Sequence, residues 1–300
     1  RCVVSRQSLV VGATQVHQVM RIVVTGAGGQ LGSELIESAT RRGHDVIATT
    51  RAQLDVTNRD ETISVIREIR PDVIMHAAAW TAVDACESDR DRAMRDNGEA
   101  TRNVVEAARA SGARVMYVST DYVFDGTKPT PYVETDTPNP TSVYGESKLA
   151  GERAMGEGDS IVRISWVCGF HGNNMVKTIM RLMDTNPTLS FVDDQIGHPS
   201  FADDVAEGMV TLVERGVTGI WHLTNQGVVS WYEFARDVVA LCGGDPEMVK
   251  PIATSQLNPP RPAKRPANSV LDNAAMRAAG LPMLDDFRVP LARLVRRLRG

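Results

Sequence analysis

From residue 21 to residue 167 the chain alternates short β-branched runs with stretches of helical periodicity, and few architectures accept that pattern. "RIVVTG" (21–26), "DVIATT" (45–50), "DVIMHAAA" (72–79), "ARVMYVST" (113–120) and "SIVRISWV" (160–167) are apolar runs of strand length. Such continuous runs suit strands covered on both faces, as in a parallel sheet. Between them, "QLGSELIESATRRG" (30–43) puts Leu31, Leu35, Ile36 and Ala39 on one helical face and stops at Gly43. "RDETISVIREIRP" (59–71), "NGEATRNVVEAARASG" (97–112) and "VYGESKLAGERAM" (143–155) also read as helices, the first stopped by Pro71. The alternation predicts an α/β fold with a doubly wound parallel sheet.

Beyond about residue 166 the alternation loosens. "NMVKTIMRLMD" (174–184), "FADDVAEGMVTLVER" (201–215) and "SWYEFARDVVALCG" (230–243) read as helices, and "GIWHLTN" (219–225) as a strand. "NPPRPAKRPANS" (258–269) reads as a surface loop, and "LDDFRVPLARLVRRLR" (284–299) as a helix kinked or started at Pro290. The expectation is a sheet domain over 20–165 plus about 201–229. A smaller substrate-binding lobe takes about 166–200 plus 230–300, with a cleft between them. Met20 followed by "RIVVTG" reads as the natural start of the domain, which makes residues 1–19 an upstream extension expected to be poorly ordered.

A net charge of −4 carries no nucleic-acid footprint, and no apolar run approaches the ~18 residues of a membrane span. Cys2, Cys86, Cys168 and Cys242 form no CxxC pair, so neither a zinc site nor a disulfide framework is suggested. A cytoplasmic globular protein with reduced thiols is expected.

"TGAGGQLG" (25–32) joins the first strand to the first helix, with Gly26, Gly29 and Gly32 in a G-x-x-G-x-x-G spacing. Glycine permits the tight turn and the close approach of a pyrophosphate, and a helix N-terminus favours the phosphate charge. This is the signature of a Rossmann-like dinucleotide site. A carboxylate at the end of the second strand would accept from a free ribose 2′-hydroxyl. The chain instead has "ATTRAQLD" (48–55), where Arg51 could pair with a 2′-phosphate. NADPH is therefore favoured, with NADH the open alternative. Asp55 suits the adenine side or a helix cap equally well.

Tyr144 and Lys148, four positions apart in "VYGESK", share one helical face. A neighbouring ammonium draws a phenol's pKa down from ~10, which suits a proton donor. Taken with "HAAAWTAVD" (76–84), Asn97, "VSTDYVFDG" (118–126) and "RISWV" (163–167), these residues resemble the extended short-chain dehydrogenase/reductases. "DDQIGHPS" (193–200) and "RPANS" (265–269) narrow the resemblance to the branch that reduces dTDP-4-dehydro-L-rhamnose, from about residue 21 to the C-terminus.

That resemblance implies an NADPH-dependent reduction of a C4 ketone to dTDP-L-rhamnose, a precursor of cell-surface polysaccharide. It puts Thr120, Tyr144 and Lys148 on the catalytic positions: Tyr144 as general acid, Lys148 lowering its pKa and holding the nicotinamide ribose, Thr120 bonding the carbonyl. Ser119 competes with Thr120 for that last role. Gly29, Gln30 and Leu31 match the pyrophosphate turn, Asp55 and Val56 the adenine contact, and Ala79, Trp80 and Thr81 the segment under the nicotinamide. Trp80 stands where relatives often carry a smaller or polar side chain. Asp121 and Trp166 match sugar and nucleotide-sugar contacts, although an indole at 166 could be core. Arg265 could meet a diphosphate or solvent. Asn97 is expected to stabilise the active-site helix through backbone hydrogen bonds and not to touch substrate, and His76 and His198 to be ordinary packed histidines. Some members form a homodimer holding Mg²⁺ between acidic side chains, near Glu34 and Asp203; metal and dimer stay open. Other readings are a nucleotide-sugar epimerase, a dehydratase, or a non-catalytic nucleotide-binding regulatory subunit. Dehydratases typically read Thr-Asp-Glu where this chain has Thr120-Asp121-Tyr122.

Overall fold

A computed structural model describes residues 18–300, so the expectation for residues 1–19 lies, but for its last two positions, outside the described residues. Six strands, β1 (Arg21–Thr25), β2 (Asp45–Thr49), β3 (Val73–His76), β4 (Arg114–Thr120), β5 (Ser160–Ile164) and β6 (Gly219–His222), form one parallel sheet. Its order is β6-β5-β4-β3-β1-β2. The eight longer helices are α1 (Gln30–Arg41), α2 (Arg59–Ile69), α3 (Ala100–Ser111), α4 (Val143–Glu152), α5 (Met175–Thr185), α6 (Ala202–Glu214), α7 (Trp231–Leu241) and α8 (Arg288–Arg299).

Strand periodicity divides the sheet between two cores. Ile22 and Val24 pack under Leu35 of α1 and Met209 of α6, whereas Val23 packs under Ile66 of α2 and Val104 of α3. Both faces are therefore covered, which is why the strands read as continuous apolar runs. A third core gathers Val176 and Ile179 of α5, Phe234 and Val238 of α7, and Leu291 and Leu294 of α8. Met276 joins the core beneath α1 and α6, so the C-terminal segment also packs on the sheet layer.

Two local differences from the sequence reading matter for the site. The run 160–167 does not continue as one strand: β5 ends at Ile164, and Trp166 takes a left-handed φ of +44°. The helix expected over 97–112 is α-helical only from Ala100, and Met94–Glu99 before it is π-helical, a widened turn common at functional sites. Pro290 lies in the first turn of α8, where no amide partner is required, so it begins the helix and does not kink it.

The order reverses between β1 and β3, and ligands of such sheets bind in the crevice at the carboxyl ends of the strands at that point. The turn after β1, the segment after β3 and the N-terminal half of α4 meet there. Ser142 caps α4 by accepting from the Gly145 amide at 3.2 Å, which fixes where the Tyr144 helix begins.

Candidate active site

The turn after β1 depends on glycine. Gly26 takes φ +71°, and a Cβ there would lie 2.7 Å from the Ala78 amide nitrogen. A Cβ on Gly32 would lie 2.1 Å from the Gly26 carbonyl oxygen, so α1 packs this closely on the strand only without a side chain. Gly29 at the N-cap offers no side-chain cap, which leaves the opening amides of α1 for an anion. A pyrophosphate fits this cradle.

Two cavities meet at the turn. One, of about 320 Å³, is lined by Gly26, Arg51, Asp55, Val56 and Trp80. The other, of about 380 Å³, is lined by Gln30, Leu31, Gly32, Thr81, Thr120, Asp121, Tyr144, Lys148 and Trp166. They share Gly29, Ala77 and Ala79, so the structure brings together every residue expected at the cofactor. Arg51 stands at the rim, 63% exposed, and hangs between Asp55 at 3.6 Å and Asp96 at 3.7 Å. Asp55 also accepts from Thr57, through its amide at 3.1 Å and its hydroxyl at 2.8 Å.

Adjacent residues of β4 point to opposite faces, and this separates Ser119 from Thr120. The Ser119 hydroxyl donates to Glu152 Oε1 at 2.5 Å; that of Thr120 donates to Asp121 Oδ1 at 2.9 Å and also reaches Tyr144. Burial pushes the Asp121 carboxyl up to about 6, against the pull of the Thr120 and Ser269 hydroxyls. Its Oδ2 is buried without a hydrogen bond in the structure.

The expectation that Lys148 makes Tyr144 acidic is corrected for the protein alone. Burial first, and then the Asp121 carboxylate, raise the Tyr144 phenol above its ordinary value. The Lys148 ammonium, 3% exposed, lies 4.2 Å from the centre of the Tyr117 ring. Burial brings it down to about 7, opposed by Glu152 one turn further along α4. The physical reason is desolvation, which disfavours both charged forms and is the largest cause at each group.

Asn97 ties the Trp80 backbone to the Tyr144 helix through its side chain. Its Oδ1 accepts from the Trp80 amide at 2.7 Å, and its Nδ2 donates to Trp80 O at 3.1 Å and Ser147 Oγ at 2.9 Å. Behind it runs a buried chain. Thr25 Oγ1 bonds His76 Nδ1 at 2.7 Å, His76 Nε2 bonds Thr101 Oγ1 at 3.1 Å, and Thr101 donates to Asn97 O at 2.6 Å. His76 is fully buried and its imidazole is pulled down to about 3 by burial, then by Lys148. His198 is buried beside Thr224 at 3.2 Å, a packed histidine.

Sequence reading missed Trp231. Its indole stacks on Trp166 at 3.6 Å and 10°, and it lines both the Tyr144 cavity and a neighbouring one of about 400 Å³ that includes Arg261 and Arg265. The only signal was its place behind a helix cap, Ser230, which says nothing of a partner 65 residues earlier. Arg265 is therefore neither in the Tyr144 cavity nor loose in solvent: it is 12% exposed and paired with Asp84.

Glu34 and Asp203 do not fit a divalent cation. Arg297 approaches Glu34 Oε1 at 3.7 Å and Arg293 holds Asp203 at 2.9 Å, so guanidinium groups already supply the positive charge. Among the described residues no group of three or more His, Cys, Asp or Glu could hold a metal. Nor is any described helix long and apolar enough to cross a membrane.

A glycine turn at the switch point, facing a helix that presents Tyr and Lys, defines a Rossmann-type oxidoreductase of the short-chain dehydrogenase/reductase class. The chain belongs to the family described as the RmlD substrate binding domain, whose signature matches residues 20–299. The dTDP-4-dehydrorhamnose reductase of Streptomyces griseus is 42% identical over 280 residues, which span 90% of this chain and 91% of that protein. The solved dTDP-4-dehydrorhamnose reductase of Bacillus anthracis str. Ames, in complex with NADP, matches with a TM-score of 0.89 at 36% identity. That match covers 93% of this chain and 100% of that one. The corresponding structure from Clostridium acetobutylicum ATCC 824 matches with a TM-score of 0.90 at 37% identity, over 94% and 100%. The resemblance drawn from the motifs and the fold class both hold.

Proposed function

We propose that this protein reduces the C4 ketone of dTDP-4-dehydro-L-rhamnose to dTDP-L-rhamnose, with NADPH as reductant. The observation that carries this reading is that Thr120, Tyr144 and Lys148 open onto one cavity with the glycine turn. The Gly26–Gly32 turn would hold the pyrophosphate, Asp55 and Val56 the adenine, and Ala79, Trp80 and Thr81 the nicotinamide. When bound, the reduced nicotinamide supplies the hydride.

Tyr144 donates the proton that the ketone oxygen needs, and a phenol kept neutral by burial is in the right state to give it. The Thr120 hydroxyl bonds the same oxygen. Asp121 meets a sugar hydroxyl through Oδ2, Trp166 lines the sugar's wall, and Lys148 stabilises the phenolate left behind and holds the nicotinamide ribose. The test is NADPH absorbance with and without the ketosugar: steady consumption that requires both supports the reading, and none removes it.

Two outcomes follow from charge. Lys148 is a cation below about 7 and neutral above it, and only the cation stabilises a phenolate. Because kcat/KM reports the free enzyme, it should fall as pH rises through about 7, and Lys148→Met should be slow with no such inflection. A level wild-type profile across this range would count against Lys148. Arg51→Ala should raise KM for NADPH about ten- to hundred-fold, the worth of a charge-assisted bond of ~1.5–3 kcal/mol, and leave KM for NADH nearly unchanged. Equal changes for both cofactors would deny it the 2′-phosphate.

A further inference from the structure

Asp84 opens the short helix Val83–Ser88, just past the segment assigned to the nicotinamide, yet all its strong partners lie some 180 residues away. Arg265 donates Nη1 to Oδ1 and Nη2 to Oδ2, each at 2.9 Å. The Ala263 amide donates to Oδ1 at 3.2 Å and Arg261 Nη1 to Oδ2 at 3.3 Å. Burial acts to raise the Asp84 pKa, but the Arg265 and Ala263 hydrogen bonds outweigh it, so the carboxyl is held below its usual range and stays ionised. One carboxylate thus fixes two arginines and the backbone between them, in a loop with four prolines and no strand or helix of its own.

Those arginines line two adjoining cavities, and Tyr122 and Trp231 stand at the doorway from one of them to the Tyr144 cavity. Arg261, Lys264 and Arg265 outnumber the carboxylates of Asp84 and Asp194 there. A guanidinium keeps five donors in a fixed fork, and Asp84 and Ala263 O leave Arg265 with donors to spare. We propose that Asp84 is a positioning residue that sets the Arg261–Arg265 pair for the diphosphate of the nucleotide sugar. It also ties that pair to the stretch of chain under the nicotinamide. The inference rests on the proposed reaction, whose substrate carries a diphosphate, and extends it by seating that diphosphate in the cavities beside the Tyr144 site. Its energetic sense is preorganisation, because an arginine already held in place loses less freedom when the anion arrives.

The test uses the full chain, with dTDP itself as the probe in calorimetry, and steady-state kinetics with the ketosugar. Asp84→Asn should weaken dTDP binding and raise KM for the ketosugar, each about ten-fold, while kcat and NADPH affinity stay within about two-fold. Arg265→Ala should lose dTDP binding more severely. If Arg265→Ala binds dTDP like wild type, the cavities do not take the diphosphate and the inference falls, while the proposed reaction stands or falls separately on NADPH consumption by the wild type. If Arg265→Ala loses binding while Asp84→Asn keeps it, the inference alone fails. If Asp84→Asn weakens NADPH as much as dTDP, Asp84 merely supports the fold, and its positioning role is overturned.

Discussion

Tyr144→Phe is expected to slow ketone reduction by about 10²–10⁴-fold while NADPH binds as before, since that is the usual worth of a positioned general acid. The substitution removes one oxygen and keeps the ring, which is 8% exposed and sits edge-on to Tyr122 at 5.5 Å. The cavity therefore keeps its shape. NADPH consumption at saturating ketosugar measures the first quantity, and a tryptophan-fluorescence titration with NADPH measures the second. An undiminished rate would take Tyr144 out of the reaction. A loss of NADPH affinity matching the loss of rate would reassign it to cofactor binding.

Glu152→Gln should lower stability by about 3–5 kcal/mol, because it leaves a charge buried with no counter-charge. Arg163, 1% exposed, donates Nε and Nη2 to the two Glu152 oxygens at 2.8 and 2.7 Å, and Ser119 adds its hydroxyl at 2.5 Å. His222, 3.4 Å from Arg163 Nη1, is pulled down to about 3 by burial and then by Arg163, so it stays neutral and cannot stand in for the lost carboxylate. At ~2–4 °C per kcal/mol the thermal midpoint should drop by roughly 10 °C, measured by calorimetry. An unchanged midpoint would mean that Arg163 is neutralised elsewhere. The same variant removes the carboxylate that supports the Lys148 cation, so the inflection expected near pH 7 should move lower.

Much of this was legible in the chain, for identifiable reasons. A sheet buried on both faces leaves continuous apolar runs, and the glycine turn and the Tyr-x-x-x-Lys pair act within one element, where spacing is geometry. Contacts made by folding distant segments together left no such trace. Nothing in "SWYEFA" announces that Trp231 lies flat on Trp166, and nothing in "TAVD" announces Asp84 on the far loop. The left-handed turn at Trp166 was hidden in a run that reads as strand, because an aromatic is an improbable occupant of that region. The Tyr144 environment escaped for another reason: helical spacing gives the proximity of a cation, but burial sets its price.

The chain of bonds from Thr25 through His76 and Thr101 to Asn97 behaves as a strut. It braces the end of β1, beside the glycine turn, against Asn97, which in turn holds Ser147 of α4. With an imidazole that remains neutral down to about pH 4, the strut does not loosen anywhere in the physiological range. Attempts to switch the coenzyme by redesigning the ends of β1 and β3 will therefore be felt some distance away, in how Tyr144, the proposed proton donor, is aimed. Successful redesigns should leave these four polar residues alone and work from the rim inward.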